Sequence, residues 1–309
     1  MPPPTLDLTA GPVALTRQLC DIESVSGDEA TIADAVAAAL APLDHLVVTR
    51  DGDTIIARTM LGRAKRVVIA GHLDTVPIND NLPTREVDGE IWGRGTVDMK
   101  SGVAVQLALA AELVTPPVDL TWIWYDNEEV ASDLNGLGRV ARTSPELLAG
   151  DFAILGEPTA AQVEGGCNGT MRAELRTHGV RAHSARAWVG RNAIHAAAPI
   201  LDILAAYEPR EVEVDGLVYR EGLNAVAIAG GVAGNVIPDE CVVTVNYRFA
   251  PSSSAADAEA HLRETFPGIE LVVTDAAEGA RPGLTAPLAQ DFLAAVGGTP
   301  RPKYGWTDV

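Results

Sequence analysis

Residues 66–77 read RVVIAGHLDTVP, and the reading of this stretch decides the fold. Its first five residues form a short, largely apolar run of the kind that makes a strand buried on both faces. Gly71 ends the run, and a histidine, an aspartate and a proline follow, so polar chemistry begins where a buried strand stops. The pattern repeats outward. Residues 29–40 read as an amphipathic helix, with Asp28 as a candidate N-cap and Pro42 just past the end. Residues 99–113 are helical, and LTWIWY (120–125) and FAIL (152–155) are further buried strands. Strands alternating with helices imply an α/β fold, a mostly parallel sheet covered on both sides.

The character changes near Thr170. A strand (171–178), a helix (192–206), two strands (223–229 and 241–249), a second helix (255–266) and a last strand (270–274) follow in order. That βαββαβ sequence predicts a ferredoxin-like unit inserted into the larger domain. The expected organisation is therefore three segments: 1–169 as the first part of the catalytic domain, 170–283 as the insert, and 284–309 as an incomplete return to the first sheet.

The chain carries 42 acidic and 23 basic side chains, a formal charge of −19. Phosphate contacts need clustered Lys and Arg, so no nucleic-acid partner is expected; the acidic excess reads as a solvated surface. No apolar run approaches the roughly 18–20 residues that span a bilayer. The first ten residues lack the basic and apolar regions of a secretory signal. The expectation is a cytoplasmic protein with no membrane partner. Cys20, Cys167 and Cys241 lie far apart without a C-x-x-C pair, so a metal here would use imidazole and carboxylate.

Four segments carry the chemistry. In GHLDTVP (71–77), His72 and Asp74 are two apart and point to one side of an extended chain. Asp74 is then placed to accept from one ring nitrogen of His72 and leave the other for metal. Alone, such a triplet is a weak signal, and a satisfied structural histidine is its better reading. In GRGTVDMKSG (93–102), Asp98 precedes a helix, where an acid commonly serves the first turn. The flanking glycines favour a tight loop whose carboxylate could bridge two cations. In DNEE (126–129), adjacent carboxylates either share a solvated loop or divide labour, one on metal and one facing a water. In GEPT (156–159), Glu157 again follows a buried strand. Four strand or loop ends in order, each delivering His or carboxylate, point to one site at the carboxyl edge of the sheet.

These segments resemble those of the zinc aminoacylase/carboxypeptidase family of metallopeptidases. The likeness extends into the insert through GVRAHS (179–184), GRNAI (190–194), GNVIP (234–238) and NYR (246–248), and so covers essentially the whole chain. It implies two Zn2+ per subunit, with Co2+ as a substitute. His72 and Glu157 would bind one ion, Asp98 would bridge, and Glu129 would bind the second. Glu128 would be the general base and Asp74 would orient His72. His183 would reach across a homodimer, formed through the insert, to stabilise an oxyanion. Asn235 and Arg248 would hold a carboxylate or amide of a small N-acyl amino-acid substrate.

Within the family, HSARAWVGRNAIH (183–195) and the ending at residues 302–309 look most like actinobacterial members that hydrolyse N-succinyl-LL-diaminopimelate. Acetylornithine deacetylase and carboxypeptidase relatives share the metal motifs and form the enzymatic alternative. A non-catalytic metal-binding or dimerisation homologue is the alternative from another class. The family continues past the position of Val309 with a helix, a strand and a loop whose His completes the second zinc site. The resemblance therefore implies an incomplete second site, and a form less stable than one extended by that segment.

Overall fold

The computed structural model describes residues 3–307. Met1, Pro2, Asp308 and Val309, including the last two residues of the 302–309 motif, lie outside the described residues. Two units are distinguished, Met1–Ala161 and Gln162–Val309.

The first unit contains α1 (Pro12–Cys20), α2 (Ala30–Leu40), β1 (Val47–Asp51), β2 (Thr54–Arg58), β3 (Arg66–His72), β4 (Arg85–Val87), β5 (Glu90–Trp92), α3 (Lys100–Glu112), β6 (Asp119–Tyr125), α4 (Gly136–Thr143) and β7 (Phe152–Leu155). Its main sheet has the order β1-β2-β6-β3-β7. Strand β3 runs parallel to β6 and β7, whereas β2 is antiparallel to both β6 and β1, so β2 alone opposes the other four. Leu15 and Leu19 of α1, Ile32 and Val36 of α2, and Val103 and Leu107 of α3 pack with Trp122 and Trp124 on one face. Ile123 and Tyr125 pack with Val140 of α4 on the other. A strand covered on both faces has no solvent-facing position, which is why LTWIWY in β6 is apolar apart from Thr121, whose buried hydroxyl meets Arg66. Truncating one of these fully buried leucines to alanine would cost about 2–5 kcal/mol.

Two local expectations are corrected. Helix α2 starts at Ala30 with Glu29, not Asp28, in the N-cap position and no side-chain cap bond; the Glu29 carboxylate is engaged elsewhere. Strand β7 is only partly buried, because it lies at the edge of the sheet with β3 on one side alone.

The second unit contains β8 (Glu164–Gly165), β9 (Gly169–His178), β10 (Ala182–His183), α5 (Ala193–Ala196), α6 (Ala198–Ala205), β11 (Glu211–Val214), β12 (Leu217–Arg220), β13 (Gly222–Gly230), β14 (Val236–Ile237), β15 (Glu240–Phe249), α7 (Ala255–Thr265), β16 (Glu270–Ala277), α8 (Pro287–Val296) and β17 (Arg301–Pro302). An antiparallel sheet of order β13-β15-β9-β16 carries α5–α6 and α7 as its crossovers, the βαββαβ arrangement. On β15 the alternation sets Val243, Val245, Tyr247 and Phe249 in the core with Leu262 of α7 and Phe266 just past its end. Thr244, Asn246 and Arg248 take the other face. Ser254 and Asp257 form a capping box at the start of α7.

The single helix expected over 192–206 is two, α5 and α6, with Pro199 in the first turn of the second, where its missing N–H costs nothing. The β11–β12 hairpin was not anticipated. Its Asp215-Gly216 turn, both residues at positive φ, is nevertheless a hairpin signal flanked by alternating apolar residues. Beyond Thr285 the chain forms α8 and β17, and β17 pairs in parallel with β8.

Candidate metal centre

Strands β6, β3 and β7 are parallel neighbours, so their carboxyl ends open at one edge of the first unit. There β3 ends in His72, β6 leads into residues 126–129, and β7 leads into Gly156 and Glu157. Helix α3 begins beside them. A Cβ at Gly102 would run into the Gly156 carbonyl, and one at Gly156 into the Gln106 side chain. Glycine at both positions lets the helix start press on the chain after β7, and the loop before α3 delivers Asp98.

His72 is buried. Its Nε2 lies 3.0 Å from Asp98 Oδ1 and 3.9 Å from Glu157 Oε1. Its Nδ1 lies 3.0 Å from the main-chain carbonyl oxygen of Asp74 and 3.4 Å from that residue's Oδ1. A carbonyl only accepts, so Nδ1 carries the proton, and the neutral ring offers Nε2 as a ligand. Burial works against a charged ring, but the Asp74 and Asp98 carboxylates outweigh it and raise the His72 pKa to about 11 in the metal-free protein. Either a proton or a cation is wanted there.

The Asp74 carboxylate is also buried. Its Oδ1 accepts the Glu128 backbone N–H at 3.0 Å, and its Oδ2 accepts the Glu129 N–H at 3.1 Å and the Ser26 hydroxyl at 2.7 Å. Burial would raise its pKa, yet His72 and these donors hold it below the ordinary carboxylate value. Asn127, at φ 61°, turns the chain so that two successive N–H groups meet one carboxylate. The preceding Asp126 is pinned by Arg139, whose Nη2 reaches Oδ1 at 2.7 Å, and by Thr54 Oγ1 at 2.6 Å.

His72, Asp98 and Glu157 offer ligand atoms that all lie within 4.8 Å of one another, and so do His72, Glu128 and Glu129. Burial, then the charge of Asp98, keeps the Glu129 carboxyl above its usual pKa, with Asp74 and Glu157 adding to the shift and His72 opposing it. So many acids around one imidazole fit a divalent cation with nitrogen and oxygen ligands, because its charge offsets their repulsion.

The three residues singled out in the insert lie in the second unit. His183 ends β10, exposed, with Nδ1 accepting the Ala185 N–H at 3.1 Å, so its neutral ring carries the proton on Nε2. Pairing of β10 with β14 sets it beside Asn235, whose carbonyl accepts the Ser184 N–H at 2.9 Å. Arg248 stands near the end of β15, across from Gly222 and Thr170. Burial, then the neighbouring Arg172, lowers its pKa. Ser26, Glu29 and Arg139 touch the motif loops and were missed: the partners of Ser26 and Glu29 lie 48 and 98 residues away, and Arg139 meets Asp126 from a helix 13 residues on, a spacing that marks no pairing in the sequence.

Comparisons with known proteins bear on the family and the fold. Residues 166–268 match the family model described as a peptidase dimerisation domain, and residues 54–162 match that of peptidase family M28. The chain is 50% identical to the succinyl-diaminopimelate desuccinylase of Corynebacterium glutamicum, over 99% of this chain and 86% of that protein. It is 54% identical to a Mycobacterium tuberculosis protein provisionally given the same name, over 98% of this chain and 87% of that one. Among solved structures, a Staphylococcus aureus tripeptidase matches with a TM-score of 0.74 at 18% identity, covering 98% of this chain and 86% of its own. A dinuclear metal-binding M20 peptidase of Bacillus subtilis matches with a TM-score of 0.68 at 15% identity, covering 96% and 83%. These two likenesses concern the fold.

Proposed function

The chain belongs to the succinyl-diaminopimelate desuccinylases, metal-dependent amide hydrolases of the M20 peptidase family, and from this premise we propose how its residues divide the work. The observation that carries the reading is the convergence of His72, Asp98, Glu128, Glu129 and Glu157 at the ends of three parallel strands. His72, Asp98, Glu157 and Glu129 would hold two zinc ions. A divalent cation at such a site polarises an amide carbonyl and brings the pKa of a water toward about 7. Glu128 takes a proton from the attacking water and returns it to the amine of LL-diaminopimelate as the amide C–N bond breaks and succinate leaves. Asp74 fixes the His72 tautomer and the peptide of the base. His183, with Nε2–H as donor, stabilises the oxyanion in a partner subunit's site, and Asn235 and Arg248 bind the substrate's carboxylate or amide.

We further propose the three-segment organisation, with residues 170–283 as the lid and dimerisation insert. Homodimerisation is supported by β13, an edge strand exposed from Asn224 to Gly230 with Val226 and Ile228 in solvent. Cytoplasmic residence is supported by the buried thiols of Cys20 and Cys241, which form no disulfide; among the described residues no helix is long and apolar enough to cross a membrane.

The test is succinate release from N-succinyl-LL-diaminopimelate with added zinc, beside N-acetylornithine and a chelated sample. Metal-dependent turnover that prefers the succinyl compound supports the reading. Preference for N-acetylornithine would move the chain to the deacetylase alternative. Turnover of neither, with metal bound, would favour a non-catalytic metal-binding homologue.

A further inference from the structure

The segment SVSGDE at 24–29 runs as a strap along the β3 loop. The Thr75 N–H donates to the Ser24 carbonyl at 2.9 Å and the Ser26 N–H to the Thr75 carbonyl at 3.1 Å. The Ser24 hydroxyl donates to the Leu73 carbonyl at 2.7 Å, while that of Ser26 reaches Asp74. Glu29 closes the strap. It is 1% exposed, and its Oε1 accepts both the Gly27 N–H at 2.9 Å and the Asn127 N–H at 3.2 Å.

This is an expensive residue in its place. A buried carboxylate needs partners, and burial raises the Glu29 pKa, with a second buried acid, Asp74, adding to the shift and the backbone donors opposing it. It makes no side-chain cap on α2, although the partial positive charge of that helix start offsets some of the cost. Among the described residues its one hydrogen bond across the fold is accepted from the N–H of the residue immediately before Glu128. That residue is Asn127, in the left-handed region. Asp74 grips the next two N–H groups, so residues 127, 128 and 129 present three successive donors to two buried carboxylates.

We propose that Glu29 is a positioning residue for the hydrolytic pair: its carboxylate fixes the Asn127 peptide, and with it the directions in which Glu128 and Glu129 leave the chain. The proposal rests on the metal-hydrolase reading of those two residues. It acts through hydrogen-bond acceptance, so an isosteric amide that keeps the oxygen serves in its place.

The test compares Glu29→Ala with Glu29→Gln in the full chain. Zinc affinity is read by competition with a chromophoric chelator, and kcat and KM with the N-succinyl substrate. Glu29→Ala is expected to lose about 10- to 100-fold in metal affinity or kcat with KM little changed, as for outer residues that orient metal ligands. Glu29→Gln is expected to restore most of the loss. Should the alanine variant not accumulate folded, Glu29→Asp carries the same test, because it keeps the charge and withdraws the oxygens by one methylene. A folded variant with a lower melting temperature but unchanged zinc affinity and kcat would overturn the proposal, and so would a glutamine variant as impaired as the alanine one. If the unsubstituted protein binds zinc but turns over no N-acyl amino acid, the functional reading fails, and the zinc-affinity comparison alone decides on Glu29.

Discussion

Asp74 accepts the backbone N–H of Glu128 on its carboxylate at 3.0 Å, while its own main-chain carbonyl stands 3.0 Å from Nδ1 of His72. A single residue, two positions past the end of β3, thus holds both a candidate ligand and the peptide of the candidate base. Asp74→Asn keeps one acceptor oxygen and turns an NH2 toward the other donor, leaving a buried N–H unpaired. The expected outcome is a fall of about 10- to 100-fold in kcat/KM or metal affinity, and a larger one for Asp74→Ala. Steady-state kinetics with parallel metal analysis checks it.

Glu128 and Glu129 both lie within ligand distance of His72, so their proposed roles separate only by substitution. Glu128→Gln should lower kcat by about 10²- to 10⁴-fold, the usual contribution of a general base, with bound metal retained. Glu129→Gln should instead reduce zinc per chain. Loss of metal in Glu128→Gln, with full metal in Glu129→Gln, would exchange the two roles.

The raised pKa of His72 has a sign that can be worked out. In metal-free protein the folded value is about 11 against an ordinary 6.5, so the folded state binds the extra proton. The stability this contributes is fully present below about pH 6.5 and drains away as pH rises toward 11. Zinc held by His72 as proposed would compete for the same nitrogen and bind better as the proton leaves. The gap in melting temperature between zinc-loaded and chelated protein should therefore widen as pH rises from 6.5 to 8.5. Calorimetric scans across that range check it, and a gap that narrows would count against His72 as a ligand.

Arg139 clasps Asp126, which is buried, and also reaches Asp51 at 2.7 Å. Arg139→Met would leave a buried carboxylate without its cation, at a cost of about 3 kcal/mol, near the low end for broken buried pairs because Arg139 is 30% exposed. Urea unfolding measures this directly. Because Asp126 opens the loop that carries Glu128, kcat should fall as well, even well below the melting temperature.

Much of this was legible in the chain. RVVIA, LTWIWY and the alternation in ECVVTVNYRF declare strands of two burial types, and the motifs at their ends declare a site. What escaped was whatever depended on long-range partners. Glu29 reads as a helix-start acid, yet it serves a peptide 98 residues away. FAIL reads as a core strand, but apolar content does not say which strand stands at an edge. The role foreseen for the Asp74 side chain is shared with its main chain, and backbone groups carry no letter in the sequence.

The proposed action of His183 in a partner subunit's site can be separated from action in its own. Glu128→Ala and His183→Ala each remove one function, and both homodimers should be nearly inactive. In a mixed dimer, the subunit that keeps Glu128 would receive His183 from its partner and regain one working site. Random exchange makes half the dimers mixed, so activity should recover to about a quarter of the unsubstituted level for a two-fold dimer. Action within one chain gives no recovery, since neither subunit then holds both residues. Charged substitutions at Val226 and Ile228, exposed on the β13 edge, should block the recovery by preventing pairing. Light scattering on the same samples reports whether they are dimers, so that a failure to assemble is told apart from a His183 that does not cross.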